Sequence, residues 1–261
     1  MTEAGEILHV HHASRVAYFT LNRPEKRNAL NAALVSALKK AFQEAADDDA
    51  IRCIVLRAHG KVFSAGADLA TLQQLQQNTY EENLEDSRHL KALFELMYHH
   101  PKPIIAQVEG QAIAGGCGLA TVCDFIFATP EARFGYTEVR IGFVPAMVMI
   151  FLVRKIGEAA ARRLLLSGEL ISSAEAVRLG MITEVVGQYR IEDYVRQFAG
   201  RLSRKASGEA LARTRKMLAE IAHMPLTDAL EYAAQQNAHA RATEDCQKGI
   251  QGFLDKKPAR W

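Results

Sequence analysis

An α/β domain with a helical C-terminal extension is the fold class this sequence predicts, on three observations. Strand-like apolar runs alternate with helix-like segments through the first half of the chain. The run from Ile51 to Leu56 is almost continuously apolar, as in a strand covered on both faces. Beyond residue 145 the strand signals nearly vanish, while helical periodicity continues to residue 254.

The elements follow in order. Residues 6 to 21 read as a hairpin, with Ile7, Val10, Val16, Tyr18 and Phe19 flanking a polar turn at His11–Ser14. A helix follows Asn31, where Leu34, Leu38, Ala41, Phe42 and Ala45 repeat at helical steps, and Asp47, Asp48 and Asp49 mark its solvated end. A glycine-containing loop, HGKVFSAGADL, leads to a glutamine-rich stretch at 73–82 with little core potential. Leu90, Leu93, Phe94 and Met97 form a helical stripe over 84–99, stopped by Pro101. A second strand, Pro103 to Glu109, runs into the turn AIAGGCGLATVCDF, and Asp124 to Ala128 begins another strand. Ser172 and Glu175 have capping-box spacing, and Gly180 closes that helix. Further helices are expected over 191–205, 207–222, 225–240 and 244–254. No internal repeat or low-complexity linker divides the chain, so one domain with a helical tail is expected rather than two independent domains.

Composition narrows the function classes. The 261 residues are 49% hydrophobic and 24% charged, which suits a soluble globular protein with a substantial core. A net charge of +2 gives no general pull toward nucleic acid or membrane. No run approaches the ~18 apolar residues of a membrane span, and MTEAGEILHV does not read as a secretory signal. A cytoplasmic protein is expected. Cys53, Cys117, Cys123 and Cys246 lack CxxC spacing and read as reduced, packed thiols. The pairs His11–His12 and His99–His100 lack ligand spacing, so no metal site is expected.

Two loops share a physical theme. In FSAGADL (63–69) and AIAGGC (112–117), small residues surround glycine between a strand and a helix. Small residues let a ligand approach the main chain, and free N–H groups at a helix start form a positive pocket. Two such turns facing each other can supply two donors to one oxygen, an oxyanion hole. Either loop alone is equally a plain strand-to-helix corner. Gly115, Gly116 and Gly118 do not fit the dinucleotide fingerprint GxGxxG, and neither loop ends in the GK[ST] of a phosphate-binding loop.

Taken together these segments resemble the crotonase family of enoyl-CoA hydratases and isomerases, over nearly the whole chain. The matching pieces are NRPEKRNAL (22–30), FSAGADL, PIIAQVEGQAIAGG, the CDF strand start, ARFGYTEVRIGFVP (132–145) and SGELISSAEAVRLGMITEVV (167–186). The run GYTEVRIGFVPA looks most like bacterial enoyl-CoA and methylglutaconyl-CoA hydratases. The resemblance implies a β/α superhelix, the ClpP/crotonase fold, over residues 1–190, and a helical trimerisation region over 191–261. It implies that coenzyme A enters as the substrate thioester and that no other cofactor is needed. By position, the N–H groups of Ala67 and Gly115 form the oxyanion hole. The loop around Lys26 and Ala65, Gly66, Asp68 and Leu69 holds the adenine and pyrophosphate. Assembly as a trimer or a dimer of trimers is implied too, with Phe253 covering a neighbour's adenine and Lys256 meeting a phosphate.

One departure stands out. Many hydratases of this family carry a glutamate directly after the Gly-Gly-Cys-type turn, where this chain has Gly118. The second family glutamate is Glu138, the implied acid/base, although read alone it is equally a surface carboxylate. PAMVMIFLV from Pro145 onward also replaces a small, glycine-rich stretch with larger side chains. Water addition to a 2-enoyl-CoA leads, and a Δ3,Δ2-enoyl-CoA isomerase, which needs one carboxylate, stands second. A glutamate returned to position 118 is expected to preserve or raise hydration in the leading case. The basic runs at Arg154–Lys155, Arg162–Arg163 and Arg201–Lys216 raise a third class, a non-catalytic RNA- or CoA-binding protein. Glu158 and Glu209 interrupt them, so no nucleic-acid partner is expected. His59 and Arg88 are candidates for the acyl end.

Overall fold

Ser14 and Arg15 both adopt positive φ, 51° and 67°, and turn the chain tightly between β1 (Leu8–Ala13) and β2 (Val16–Leu21). This computed structural model describes residues 6–257, 259 and 261, apart from the side chain of Leu69. The hairpin turn therefore sits at 14–15 and not at 11–14. His11 and His12 pair with Tyr18 and Ala17 in the ladder.

After a short 3₁₀ turn at Pro24–Lys26, α1 (Ala32–Asp47) starts at Asn31, whose side chain accepts the Leu34 N–H. Next come β3 (Cys53–Ala58), β4 (Val62–Ser64), α2 (Leu69–Leu75) and α3 (Tyr80–Tyr98). Thr79 and Glu82 form a reciprocal capping box that starts α3 earlier than the apolar stripe indicates. The chain continues through β5 (Ile104–Val108), β6 (Gln111–Ile113), α4 (Gly115–Thr121), β7 (Phe125–Ala128) and β8 (Arg133–Gly135). A 3₁₀ turn at Glu138–Ile141 leads into α5 (Ala146–Ser167), which breaks at Gly157. Then follow β9 (Ile171–Ser172), α6 (Ser173–Arg178), β10 (Glu184–Val185) and four helices. These are α7 (Ile191–Lys205), α8 (Gly208–Ile221), α9 (Leu226–Arg241) and α10 (Glu244–Leu254). Ser172 caps α6 by accepting the Glu175 N–H, but the Glu175 carboxylate turns to Arg163 and Arg178 instead of closing a box.

The strands form two sheets. One has the order β1-β2-β3-β5-β7-β10, parallel except at the hairpin; the other has the order β4-β6-β8-β9. Each turn of the superhelix gives one strand to each sheet before its helix: β3 then β4, β5 then β6, β7 then β8. This structural repeat has no counterpart in sequence similarity, because strands of three residues are too short to carry a period.

Ile54 and Leu56 face the main core beneath α1, α3, α4 and α5. Cys53 and Val55 face the opposite side, where Val195 and Ala199 of α7 cover them. Burial on both faces is why this strand reads as continuously apolar. Cys53, Cys117 and Cys123 are buried free thiols, and burial pushes those of Cys117 and Cys123 up to about 12. Among the described residues no helix is long and apolar enough to cross a membrane.

Candidate active site

The two small-residue loops meet. A Cβ on Gly66 would lie 2.9 Å from the Ala114 Cβ and 3.4 Å from the Gly115 nitrogen, so only glycine permits this approach. Each donor expected from the sequence follows a residue at positive φ: Gly66 at 87° precedes Ala67, and Ala114 at 51° precedes Gly115. For Ala114 that backbone is strained, and the Ala114 N–H→Gly135 O bond of 2.8 Å helps hold it.

On the first loop, the Leu30 N–H donates to Gly66 O at 2.6 Å and the Asp68 N–H donates to Leu30 O at 3.1 Å. That pairing straddles Ala67. Among the described residues, no protein acceptor engages the Ala67 or Gly115 N–H. NRPEKRNAL braces the loop. The Arg23 guanidinium binds Asp68 at 2.8 Å, and Asn28, fully buried, donates to His59 O and Val62 O. The Ala65 N–H donates to Arg27 O at 3.0 Å.

Glu138 opens the 3₁₀ turn after β8 and is 8% exposed. Its Oε2 is enclosed without a hydrogen-bond partner, and burial raises its carboxyl above the usual range. A cavity of about 210 Å³ joins Ala65, Ala67, Gly115 and Glu138. Phe143 and Val144 line its rim while remaining largely exposed. A carboxyl whose charge water does not stabilise, beside two free N–H donors, can exchange a proton next to a carbonyl whose oxygen is gaining charge.

Position 118 faces α5. A Cβ there would lie 2.1 Å from Val148 Cγ1 and 3.4 Å from Phe94 Cζ. Val148 fills the space that a side chain at 118 would take and also lines the cavity. The larger side chains after Pro145 and the glycine at 118 are therefore one structural feature.

The other expected residues lie elsewhere. Gly66 packs behind the donors. The Asp68 carboxylate caps α2 through the Ala70 N–H and binds Arg23, which holds its carboxyl below the usual range. Leu69 begins α2, and its side chain lies outside the described residues. Lys26 is exposed on its 3₁₀ turn, away from the cavity lining. Phe253, 84% exposed near the end of α10, and Lys256 just beyond it are also outside that lining. The His59 ring meets the His9 ring edge to face, and Arg88 is exposed off the cavity. His89 lines the cavity instead, along with Asp86, Ser87 and Leu90 of the same helix. Leu90 was already in the apolar stripe, and 86 and 87 stand one helical turn before it; that spacing is the signal that finds them.

The basic runs are largely compensated. Lys155 donates to Thr121 O and Cys123 O, Arg215 pairs with Asp124, and Arg163 pairs with Glu169 and Glu175. Among the described residues, no group of three or more His, Cys, Asp or Glu side chains could hold a metal ion.

Comparison with known proteins decides the family: the pattern described as enoyl-CoA hydratase/isomerase matches residues 11–261. The chain belongs to the enoyl-CoA hydratase/isomerase family. Within this crotonase family, a Thermus thermophilus relative is 41% identical over 246 residues, 94% of this chain and 97% of the other. The 2,3-dehydroadipyl-CoA hydratase of Escherichia coli is 34% identical over 93% of both chains. The crystal structure of an enoyl-CoA hydratase from Mycobacterium smegmatis superposes with a TM-score of 0.93 at 28% identity. It covers 98% of this chain and 99% of that one. The expected crotonase superhelix is the observed fold.

Proposed function

We propose that this protein adds water across the double bond of a 2-enoyl-CoA thioester, with Glu138 as the acid/base and the Ala67 and Gly115 N–H groups as the oxyanion hole. One observation carries the reading: a buried, partly unpartnered Glu138 carboxyl shares a cavity with two free N–H donors. Glu138 takes a proton from water as its oxygen bonds to the β-carbon. The C=C electrons move toward the thioester, and charge collects on the carbonyl oxygen between the two donors. Protonated Glu138 then gives the proton to the α-carbon, and the carboxylate is restored. Coenzyme A enters and leaves as the thioester, with no other cofactor.

The finer parts of the reading are proposals of the same kind. Lys26 and the loop from Ala65 to Leu69 hold the adenine and pyrophosphate, with Asp68 acting through Arg23 to keep that loop in place. Residues 1–190 form the acyl-CoA-binding core. Residues 191–261 form the assembly region of a trimer or dimer of trimers, with α7 packed on the core sheet. Exposed Leu218, Leu226, Leu230 and Leu254 support such an interface. Phe253 and Lys256 then reach a neighbouring subunit's coenzyme A. The enzyme works in the cytoplasm.

The isomerase reading has its own support. With Val148 in the place of a second carboxylate, one group moving a proton from C2 to C4 needs no water. Parallel incubation with 2-enoyl- and 3-enoyl-CoA separates the two. Formation of 3-hydroxyacyl-CoA from the 2-enoyl substrate supports hydration. Conversion of 3-enoyl- to 2-enoyl-CoA without the hydroxy product supports isomerisation.

A further inference from the structure

The acyl cavity carries a second carboxyl that the proposed chemistry does not use. Asp86, half-buried on α3, lines the same cavity as Glu138, and among the described residues it has no hydrogen-bond or ion-pair partner. Among the described residues, no lysine or arginine lines that cavity. Among the described lining residues, His89 is the one other titratable side chain beside the two acids. The His89 Nε2 faces Ala32 O at 3.3 Å and Ser36 Oγ at 3.1 Å, while Nδ1 faces the Lys39 ammonium at 3.5 Å. Both ring nitrogens are thus engaged within the protein. The rest of the lining is dominated by apolar side chains such as Leu72, Leu75, Leu90 and Met147.

We infer that Asp86 is a specificity residue that restricts this site to acyl chains without a terminal carboxylate. The inference rests on the cavity being the acyl site of the proposed function. A tail carboxylate entering here gives up water, finds no described lysine or arginine on the wall, and meets a fixed like charge at Asp86. An uncharged tail of the same length meets mostly apolar wall. The chain therefore differs in acyl selection from its Escherichia coli relative, whose named substrate bears such a carboxylate.

The test compares two chains of equal length, trans-2-hexenoyl-CoA and 2,3-dehydroadipyl-CoA, in wild type, Asp86→Asn and Asp86→Lys. In wild type, kcat/KM for the dicarboxylyl substrate is expected to be about tenfold or more below that for hexenoyl-CoA. Asp86→Asn should narrow that ratio by at least about threefold, and Asp86→Lys should reverse the preference. Equal or better use of the dicarboxylyl substrate by wild type overturns the inference, as does a ratio unmoved in both variants. Calorimetric binding of hexanoyl-CoA against adipyl-CoA reads the same discrimination without turnover. If neither enoyl substrate reacts but the binding gap persists and follows residue 86, the proposed function fails and the inference stands. If both substrates are hydrated equally well, the reverse holds.

Discussion

Val148 stands where a side chain at position 118 would go: a Cβ on Gly118 would lie 2.1 Å from Val148 Cγ1 and 2.8 Å from Val148 Cβ. The two positions, thirty residues apart on α4 and α5, therefore change together or not at all. A glutamate cannot simply be returned to 118, which corrects the expectation read from the sequence.

Gly118→Glu alone is expected to destabilise the fold by about 3 kcal/mol or more, through overpacking and a carboxyl without a partner. Combining it with Val148→Gly should recover at least half of that loss. Urea unfolding of both single variants and the double variant checks this. Additive losses, with no recovery in the double variant, would mean the contact does not govern position 118.

The raised carboxyl of Glu138 has a consequence for stability. Burial favours its neutral form, so the folded state holds this proton to higher pH than the unfolded state does. Its stabilising contribution is complete below the ordinary glutamate range and is lost as pH rises through the raised folded value. Glu138→Gln removes that loss. The variant's Tm relative to wild type should therefore be higher at pH 8 than at pH 4. A constant difference across that range would contradict the burial argument.

Gly115→Pro removes one proposed donor, while Gly115→Ala keeps it. A Cβ at 115 would meet only Leu30 Cδ1 at 3.5 Å and the Gly66 Cα at 4.0 Å, so alanine fits. In folded proteins, kcat should fall by ~10²–10³ for proline and by much less for alanine. Circular dichroism establishes folding in each case. Equal losses in the two variants would assign the effect to shape and not to the N–H.

Assembly is open to a direct measurement. Light scattering at micromolar concentration should give a mass of three or six copies of the 28.9 kDa chain. A monomer would leave Phe253 and Lys256 with no neighbour to serve.

Much of this was legible in the sequence because it rests on local rules. Asn31 as a cap, the stripe from Leu34 to Ala45 and the stop at Gly180 are short-range signals. The pairing of FSAGADL with AIAGGC was legible only through the family resemblance, since nothing local says which turn another turn will face. The second sheet escaped because β4, β6 and β8 have three residues each. Gly118 showed as a missing acid, but its cause, Val148, is a contact between helices that no window of sequence contains. Asp86 escaped because an acid on the polar side of a helix looks solvated until the cavity beside it is known.

The central claim is that Glu138 is the protein carboxylate that moves the proton, and Glu138→Gln tests it most directly. The amide keeps the shape and loses the base. With a 2-enoyl-CoA substrate, kcat should fall by at least ~10²-fold while the calorimetric Kd for a saturated acyl-CoA stays within about threefold of wild type. A folded variant that keeps most of the wild-type rate would place the acid/base elsewhere and contradict the account.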